Sequence, residues 1–473
     1  MMRLNKKILT ITTAFVLMLT AVFSACGEAD DTNYVGTLKI GYMRAGYGIE
    51  FAESWTKEYN KAHPDEQIKF IIDDTVDGGY IGSRLETSSE ICDIFMVMET
   101  GWQNWARSGW IEPLDDLMKM TNDDGNVFED VLRDGYENFG LLNGKRYVLP
   151  QSGQSAPGFA YNETLFKEHN LGEPPETLAE LKALIDKINA LPVNNDSDIN
   201  NDIAPFAWGG LVAGYWDSAV LTWWAQKDGE AKLKEFYEME TVDVYNQRPG
   251  LEAALNEFRS LICTGEGVPK NSLDGAMSKN HIRMQNDFIL GKAAMMVGVY
   301  GLQNETKDLI DENTVLKMFY PPFIDGAQVD ENGNPVKIMV TQGQDFLFIP
   351  SASKNKDLAK KFLLWISTND MCRTYTRYSS FLSPYDYDMD NIEGVSALTQ
   401  SIIDASKDIK MVGPILSSNP IVNQLRLHVW GGLTAPYADM VVKNLTPKQA
   451  ISNAAAYANS LWDAIRKELG LNG

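Results

Sequence analysis

The first hundred residues alternate between short apolar runs and amphipathic stretches. TLKIGY (37–42) and QIKFII (67–72) read as strands, and CDIFMV (92–97) is a nearly continuous apolar run, typical of a strand buried on both faces. Residues 79–88 favour a helix. Between the first two strands, apolar residues recur at helical spacing: Phe51, Ala52, Trp55 and Tyr59. The order strand, helix, strand, helix, strand predicts a parallel α/β sheet.

The same pattern locates a candidate site. In open α/β sheets, ligands bind beyond the carboxyl ends of the strands. The segments that follow the predicted strands are 43–50, 73–79 and 98–105. They carry aromatic and charged residues where connections are usually small and polar: Arg44, Tyr47, Glu50, Asp74, Glu99 and Trp102. Each of these alone is more often plain surface, but together they are suggestive of binding.

Two later stretches predict further helices. Two prolines precede Thr177, and Glu180 three residues on completes a capping box. The apolar face of this helix comprises Leu178, Leu181, Leu184, Ile185 and Ile188. Within 351–366, the inward face comprises Leu358, Ala359, Phe362, Leu363 and Ile366.

Tryptophan is the residue type that stands out, with eleven in the chain. Trp216 and Trp223 share one helical face, and for Trp223 a position in the core is favoured. Trp208 and Trp430 each precede Gly-Gly, which predicts a loop or a strand end. Exposed rings there would suit the C–H-rich faces of pyranose sugars, and a cleft with ring platforms and a few polar groups is the general form of a small-ligand site.

The amino terminus predicts export. Residues 1–25 have a basic start, an uncharged apolar run over 8–23 and small residues before Cys26, as in a secretory signal. Phe-Ser-Ala-Cys also resembles the lipobox of bacterial lipoproteins, in which the cysteine becomes diacylated. We therefore expect a signal peptide over 1–25, lipid attachment at Cys26 and a flexible leader over 26–36. An ordinary signal peptide with a coincidental cysteine is the alternative.

Charge excludes several partners. Without residues 1–25 the chain has 39 Lys and Arg against 64 Asp and Glu. Nucleic acids and anionic lipid head groups need a positive footprint, so we expect no nucleic acid and contact with the membrane only through the anchor. The length suggests two domains.

Motifs of catalysis and metal binding are absent from the sequence. There is no phosphate-binding P-loop, no G-x-S-x-G and no H-E-x-x-H, and the four histidines are dispersed. We expect no metal, no cofactor and no enzyme activity. Cys92, Cys263 and Cys372 are widely spaced, and both one disulfide and none are compatible with the sequence.

Four segments together resemble the family 1 extracellular solute-binding proteins, the maltose-binding-protein-like sugar receptors of ABC importers. These segments occur in the family's order and span 37 to about 385: CDIFMVMETGWQNWARSGWIEPLDDL, LNGKRYVLPQSGQSAPGFAYNETLFKEHNLGEPPETLAEL, DFILGKAAMMVGVYG and DFLFIPSASKNKDLAKKFLLWI. The resemblance implies a two-lobed α/β fold of the type II periplasmic-binding-protein class, with the ligand held in a cleft between lobes that are joined by crossing segments.

Carried over by motif, the chain would cross between lobes near Pro150, Val299 and Gln344. Lobe one would comprise 37–149 plus 299–343, and lobe two 150–298 plus 344–473. The resemblance implies a protein that captures an extracellular solute and delivers it to the permease of an ABC transporter. Together with the aromatic residues and the lipobox, it leads us to expect a monomer that binds a neutral oligosaccharide at the outer face of the cell membrane. Its ligand-contacting positions would be Tyr47, Asp74, Glu99, Trp102, Gln151, Trp208, Trp216, Tyr300, Gln342, Asp345 and Phe381. Trp430 is added because of its Gly-Gly context.

Two rival functions remain open from the sequence. A binding protein for a polyamine or a peptide would fit the acidity, because aromatic boxes bind cations. An anchored glycoside hydrolase is the other rival, since 64 carboxylates could supply a catalytic pair.

Overall fold

The computed structural model describes residues 34–98, 101–152, 158–237, 239, 241, 248–298, 301–340, 345–412, 421–422, 425 and 436–468. Its strands are β1 (Gly36–Tyr42), β2 (Ile68–Asp73), β3 (Ile94–Met98), β4 (Leu141–Leu142), β5 (Lys145–Arg146), β6 (Leu149–Pro150), β7 (Phe159–Asn162), β8 (Ala204–Ala207), β9 (Ala293–Val297), β10 (Leu316–Phe319), β11 (Ile338–Val340), β12 (Asp345–Phe348) and β13 (Lys410–Val412). Its α-helices are α1 (Glu50–Ala62), α2 (Ile81–Thr87), α3 (Trp102–Arg107), α4 (Glu163–Glu168), α5 (Leu178–Asn189), α6 (Asp217–Asp228), α7 (Glu230–Tyr237), α8 (Pro249–Ile262), α9 (His281–Ile289), α10 (Leu302–Glu305), α11 (Lys356–Ile366), α12 (Asn369–Ser379), α13 (Ala397–Asp408), α14 (Tyr437–Val442) and α15 (Pro447–Glu468).

The first lobe is built on a five-stranded sheet in the order β2-β1-β3-β12-β6. β1 pairs in parallel with both β2 and β3, which confirms the parallel α/β pattern predicted from the sequence. β12 runs antiparallel to β3 and β6. The sheet is therefore mixed, and its fourth strand enters from a distant part of the chain.

Both faces of this sheet are covered, as the apolar run of β3 predicted. Ile94 and Met96 join a core cluster with residues of α1, α11 and α12, while Phe95 and Val97 join a second cluster with residues of α2 and α3. Because successive side chains of a strand point to opposite faces, a strand covered on both sides must be apolar throughout.

The second lobe has a four-stranded sheet in the order β10-β7-β9-β8. β8 and β9 are parallel, and β7 runs antiparallel to both β9 and β10. α5, α6, α8 and α15 contribute to the cluster that contains Phe159 and Val297, and α9 and α13 contribute to the cluster that contains Ala160 and Met296. This sheet is likewise sandwiched between helical layers, so the molecule has two α/β lobes.

The division of the chain between the lobes differs from the prediction. β10 belongs to the second sheet, whereas β12 belongs to the first. The assignment of 299–343 to lobe one and of the start of 344–473 to lobe two is wrong for these strands. The chain passes from the first lobe to the second between Pro150 and Phe159 and returns between Val340 and Asp345, because β11 packs in the second-lobe core. A crossing near Val299 is not supported, since β9 before it and β10 after it lie in one sheet. A third change follows α12, which packs in the first lobe, and precedes α13, which packs on β10.

The capping box predicted at Thr177 is present. The Thr177 side chain accepts from the backbone N–H of Glu180 at 3.2 Å, and the Glu180 carboxylate accepts from the backbone N–H of Thr177 at 3.0 Å. The predicted apolar face of α5 is buried. Two amide donors that the helix cannot satisfy internally are thus satisfied by side chains.

Thr177→Ala is expected to lower the free energy of unfolding by about 1 kcal/mol, because it leaves one of these donors without its side-chain acceptor. Urea denaturation followed by circular dichroism measures the change. Thr177→Ser is the matched control: it keeps the hydroxyl and should leave the midpoint nearly unchanged. An equal loss in both variants would contradict a capping role.

Within the described ranges, no helix combines the length and the apolar character needed to cross a bilayer. Cys92, Cys263 and Cys372 are buried free thiols, so the structure pairs none of the three in a disulfide. Burial raises the pKa of both Cys92 and Cys263 to about 11.

Candidate functional site

The topology brings one edge of each sheet together. Pro150, at the end of β6, lies beside the start of β12, and Asp345 there pairs with Met98 at the carboxyl end of β3. Phe159, at the start of β7, pairs with Val297 at the carboxyl end of β9, and β8 runs parallel to β9. Only residues 151–158 separate Pro150 from Phe159. The carboxyl edges of both sheets therefore border the same crossing, where α/β proteins place their ligands.

Tyr47, Ser152 and Asp345 form a buried hydrogen-bonded group at the first of these edges. The Tyr47 hydroxyl donates to Asp345 Oδ2 and lies 3.3 Å from Ser152 Oγ, which is itself 3.4 Å from Asp345 Oδ2. The Tyr47 ring packs on Phe381 with centroids 4.3 Å apart. The structure thus brings together the predicted residues Tyr47, Asp345 and Phe381.

Asp345 is a carboxyl group in an unfavourable setting. Burial raises the pKa of Asp345 to about 6, although the hydrogen bonds from Tyr47 and Ser152 act to lower it. Burial and the neighbouring Asp345 carboxylate also raise the pKa of the Tyr47 phenol well above its ordinary value. Asp345 Oδ1 is buried and has no hydrogen-bond partner among the described residues. One acceptor is thus left for another molecule.

Gln151 lies directly beside this group. Its backbone N–H donates to the Asp345 carbonyl at 3.0 Å, which places it at the start of the first crossing. Its side chain is only 3% exposed, and neither amide atom has a hydrogen-bond partner in the described part of the chain. A buried amide offers both a donor and an acceptor.

Asp74 and Trp102 lie on the same edge in different surroundings. Asp74 follows β2 and forms an ion pair with Arg44, with Nη1 and Oδ2 separated by 3.5 Å. In the sheet order, β1 and β3 lie between β2 and β12, so Asp74 is well separated from Asp345. Trp102 is the first residue of α3 and is buried in the apolar cluster that contains Phe95 and Val97. Its ring therefore packs in the core of the first lobe.

Trp208 and Trp216 lie at the edge of the second sheet. Trp208 directly follows β8, as the Gly-Gly context predicted, and is 2% exposed. Trp216 precedes α6 and is fully buried, with edge-on ring contacts to Phe206 and Phe159 at centroid distances of 5.6 and 6.1 Å. Neither indole N–H has a hydrogen-bond partner among the described residues. By contrast, Trp223 is a core residue, as the sequence favoured, and its N–H donates to the Pro322 carbonyl at 2.8 Å.

Five predicted positions fall outside the described residues: Cys26, Glu99, Tyr300, Gln342 and Trp430. Their part in anchoring and binding stays a prediction.

The two lobes touch beside the site. A Cβ atom added to Gly46 would lie 2.6 Å from Gly301 Cα, so the backbones approach as closely as glycine permits. The Asn304 amide donates to the carbonyls of Gly46 and Ser379 at 3.1 and 3.0 Å. Lys307 also forms a 2.8 Å ion pair with Glu50 at the start of α1. Since Leu302 of α10 packs in the second lobe, these contacts join the lobes.

Two site residues were missed from the sequence. Ser152 links Tyr47 to Asp345, and its carbonyl accepts from the buried Tyr136 hydroxyl at 2.9 Å. Ser152 directly follows Gln151, a predicted ligand contact, so its position next to Gln151 in the sequence could have identified it. No sequence pattern points to Tyr136, because its role depends on a tertiary contact with Ser152.

The described residues contain no group of three or more His, Cys, Asp or Glu side chains placed to hold a metal ion. The chemistry at the two edges is instead that of aromatic rings, a carboxylate, a primary amide and hydroxyl groups. Such an arrangement can hydrogen-bond a polar ligand and cover it with apolar rings.

Comparison with known proteins agrees with this geometry. The family described as bacterial extracellular solute-binding protein matches residues 45–371. A protein of Brucella abortus (strain 2308), named as a binding protein, is 27% identical over 328 residues, which are 65% of this chain and 68% of the relative. The maltotriose-binding protein of Pyrococcus abyssi (strain GE5 / Orsay) is 23% identical over 323 residues, 68% of this chain and 60% of the relative.

Solved structures share the fold. A chitin oligosaccharide binding protein superposes with a TM-score of 0.62 at 16% identity, covering 91% of this chain and 99% of that chain. The GacH receptor of Streptomyces glaucescens, solved unliganded and with acarbose, gives a TM-score of 0.58 at 19% identity, covering 93% and 99%. The fold is the two-lobed type II solute-binding fold, and the chain belongs to the bacterial extracellular solute-binding proteins, a family of receptors rather than enzymes.

Proposed function

We propose that this protein is a lipid-anchored receptor that captures a neutral oligosaccharide outside the cell and delivers it to the permease of an ABC transporter. One observation carries the proposal: polar atoms are buried without described partners at both meeting edges. They are Asp345 Oδ1, the Gln151 amide and the indole N–H groups of Trp208 and Trp216. Buried polar groups are normally hydrogen-bonded, so these atoms point to a ligand that supplies the missing bonds.

The chemistry of these atoms favours a sugar. The carboxylate accepts, the indoles donate and the amide does both, while a sugar hydroxyl can donate and accept. Apolar rings at the same edges suit the C–H faces of a pyranose. The named ligands of similar proteins include chitin oligosaccharide, acarbose and maltotriose, which supports the same class.

Anchoring and delivery rest on the sequence and the family. A signal peptide over 1–25 and a diacylated Cys26 would hold the mature, monomeric protein at the outer face of the membrane, since two acyl chains anchor stably. The acidic chain supports a neutral rather than a polyanionic ligand. Transport would then require a permease and an ATPase on other chains.

A thermal-shift and calorimetric screen of neutral glycans tests the proposal. A specific ligand raises the melting temperature by mass action, so at least one neutral oligosaccharide should raise it and bind with a stoichiometry near one. Incubating the same glycans with the protein should produce no new reducing ends, which would separate a receptor from a hydrolase. A panel in which no glycan binds would overturn the proposal.

A polyamine receptor is the second candidate, favoured by a single observation. Asp345 is a buried carboxyl group with no ion pair among the described residues, and a cationic ligand could supply one. Including spermidine and putrescine in the screen separates the two classes. Polyamine affinity should fall steeply with salt, and sugar affinity should not.

Trp208→Phe is expected to weaken oligosaccharide binding about tenfold, because it keeps an apolar ring and removes one indole N–H. A hydrogen bond of this kind contributes about 1 kcal/mol, and a well-placed one somewhat more. Calorimetry measures the dissociation constant. Trp110→Phe in the first lobe is the control, because Trp110 is only partly buried beside the cluster formed with α2 and α3. The affinity of this variant for the oligosaccharide should match that of the wild type. Equal affinities for all three proteins would contradict a ligand contact at Trp208.

A further inference from the structure

Tyr47 occupies a position that a simple ligand contact would not need. Within the described residues, three segments carry the chain between the lobes, and Tyr47 contacts a residue at the first-lobe end of two of them. Ser152 begins the first crossing and Asp345 ends the second. Phe381, which packs on the Tyr47 ring, directly follows α12 within the first lobe, where Tyr385 still pairs with Leu132. The side chain is 5% exposed, so nearly all of its surface is committed to these contacts and to the core.

The turn that holds Tyr47 also reaches the second lobe. Residues Ala45–Tyr47 form one 3-10 turn after β1. Gly46, in its centre, lies against Gly301, and its carbonyl accepts from the Asn304 amide at 3.1 Å. Anchoring Tyr47 therefore fixes the position of the backbone group through which the lobes touch.

We propose that Tyr47 is a positioning residue that couples the candidate ligand carboxylate of Asp345 to lobe closure. A ligand bonded to Asp345 holds this carboxylate in place, Tyr47 is held by it, and the Gly46 turn is thereby held against α10. The coupling rests on the proposed function in one respect: it requires that binding of a ligand closes the lobes. The ligand-free equilibrium between closed and open lobes depends on the same contacts and can be measured alone.

The test uses Tyr47→Phe and Tyr42→Phe as a matched pair. Tyr47→Phe keeps the ring on Phe381 and removes the hydroxyl that Asp345 and Ser152 share. Tyr42 is also fully buried in the first lobe, but its hydroxyl donates to the Arg44 carbonyl at 3.4 Å rather than to Asp345 or Ser152. Each variant loses one buried hydroxyl group. An effect that comes only from a general loss of stability should therefore appear in both variants.

Lobe separation is measured by pulsed electron resonance between spin labels at Lys57→Cys in α1 and Ala183→Cys in α5, in a Cys26→Ser background. Both positions are exposed, whereas Cys92, Cys263 and Cys372 are buried, so the labels attach selectively. For Tyr47→Phe we expect the ratio of closed to open molecules to fall about tenfold, the effect of losing a hydrogen bond to a charged group. Tyr42→Phe should match the wild type.

Ligand binding supplies the second readout. With the best neutral glycan, affinity for Tyr47→Phe should fall by no more than the closed-to-open ratio, because apparent affinity scales with the competent fraction. Reduced affinity with an unchanged ligand-free distance distribution would make Tyr47 a ligand contact only and overturn the proposal. An equal shift in Tyr42→Phe would overturn it as well.

Two further outcomes are also decisive. If Tyr47→Phe does not fold, Ser152→Ala takes its place, because it removes the link to the first crossing. Ser152→Ala should shift the label distances in the same direction but by less. A distance distribution equal to that of the wild type would count against the coupling. If no glycan binds, the proposed ligand class fails, while the ligand-free comparison still decides the role of Tyr47.

Discussion

Replacing Asp345 by asparagine should make the folded protein more stable at pH 7.5 and at the same time weaken ligand binding. Burial raises the pKa of this carboxyl group from 3.8 to about 6. One pKa unit corresponds to ~1.4 kcal/mol, so the ionised group costs the folded state up to roughly 3 kcal/mol at neutral pH. Asparagine has no charge to bury and can still accept the Tyr47 hydrogen bond, which leaves an expected gain of about 1–3 kcal/mol.

The sign of the pH dependence follows from the raised pKa. Below about pH 4, Asp345 is protonated in both the folded and the unfolded states, and its contribution to stability is fully present. As the pH rises from about 4 through about 6, the unfolded state ionises first and that contribution is lost. Wild-type stability should therefore fall across this window relative to Asp345→Asn, and denaturant titrations at pH 4, 5, 6 and 7.5 measure the difference.

Asp93→Asn is the matched control, because Asp93 is as buried as Asp345 but satisfied. The exposed fraction of each is 8%. Asp93 accepts from Lys39 N, Ser353 Oγ and Asn355 Nδ2 at 2.8, 2.7 and 3.1 Å. Asp93→Asn should lower the free energy of unfolding at pH 7.5, because the side-chain nitrogen of asparagine cannot accept a hydrogen bond and would face at least one of these donors. If Asp345→Asn were destabilised as much, Asp345 would be a structural carboxylate rather than one reserved for a ligand.

Local patterns predicted the elements of this fold well. Alternation in 37–42, the predicted strand at 67–72, the apolar run at 92–97 and the capping box at Thr177 all correspond to observed strands and a capped helix. Each is a property of a few neighbouring residues. The parallel pairing followed because helices connect the strands, and a connection of that length brings strands back in the same direction.

The division into lobes failed because pairing partners are not encoded locally. β10 (LKMF) and β12 (DFLF) are short, apolar and bounded by loops, so either could complete either sheet. Their membership is decided by side chains far away in sequence. Phe346 and Phe348 pack with Trp105 in the first lobe, whereas Phe319 stacks on Phe159 in the second.

The candidate site was predictable to the extent that strand ends define it. Tyr47, Gln151 and Asp345 converge because each adjoins the carboxyl edge of the first sheet. Aromatic character alone did not separate platform from core: Trp216, which precedes α6, and Trp223, which lies within it, are both fully buried. What distinguishes them is the indole N–H, which is bonded in Trp223 and has no described partner in Trp216.

Trp216→Ala should lower the free energy of unfolding by about 3–5 kcal/mol, the usual cost of deleting a buried indole. The ring is 0% exposed and meets Phe159, Phe206, Trp223 and Phe258 at centroid distances of 5.2 to 6.3 Å. Binding losses in this variant would therefore be mixed with unfolding. Guanidinium denaturation measures the cost directly, and a change below about 1 kcal/mol would contradict a core position.

Phenylalanine separates the two roles of Trp216. Trp216→Phe keeps a ring among the same neighbours and loses no hydrogen bond to a described residue, whereas Trp223→Phe abandons the bond to the Pro322 carbonyl. Trp216→Phe should thus cost less stability than Trp223→Phe by about 1 kcal/mol. If the Trp216 N–H donates to the ligand, the two variants rank in the opposite order for binding affinity. Trp216→Phe should then lose about tenfold in affinity, and Trp223→Phe should lose little. Matching orders in denaturation and calorimetry would instead make both indoles purely structural.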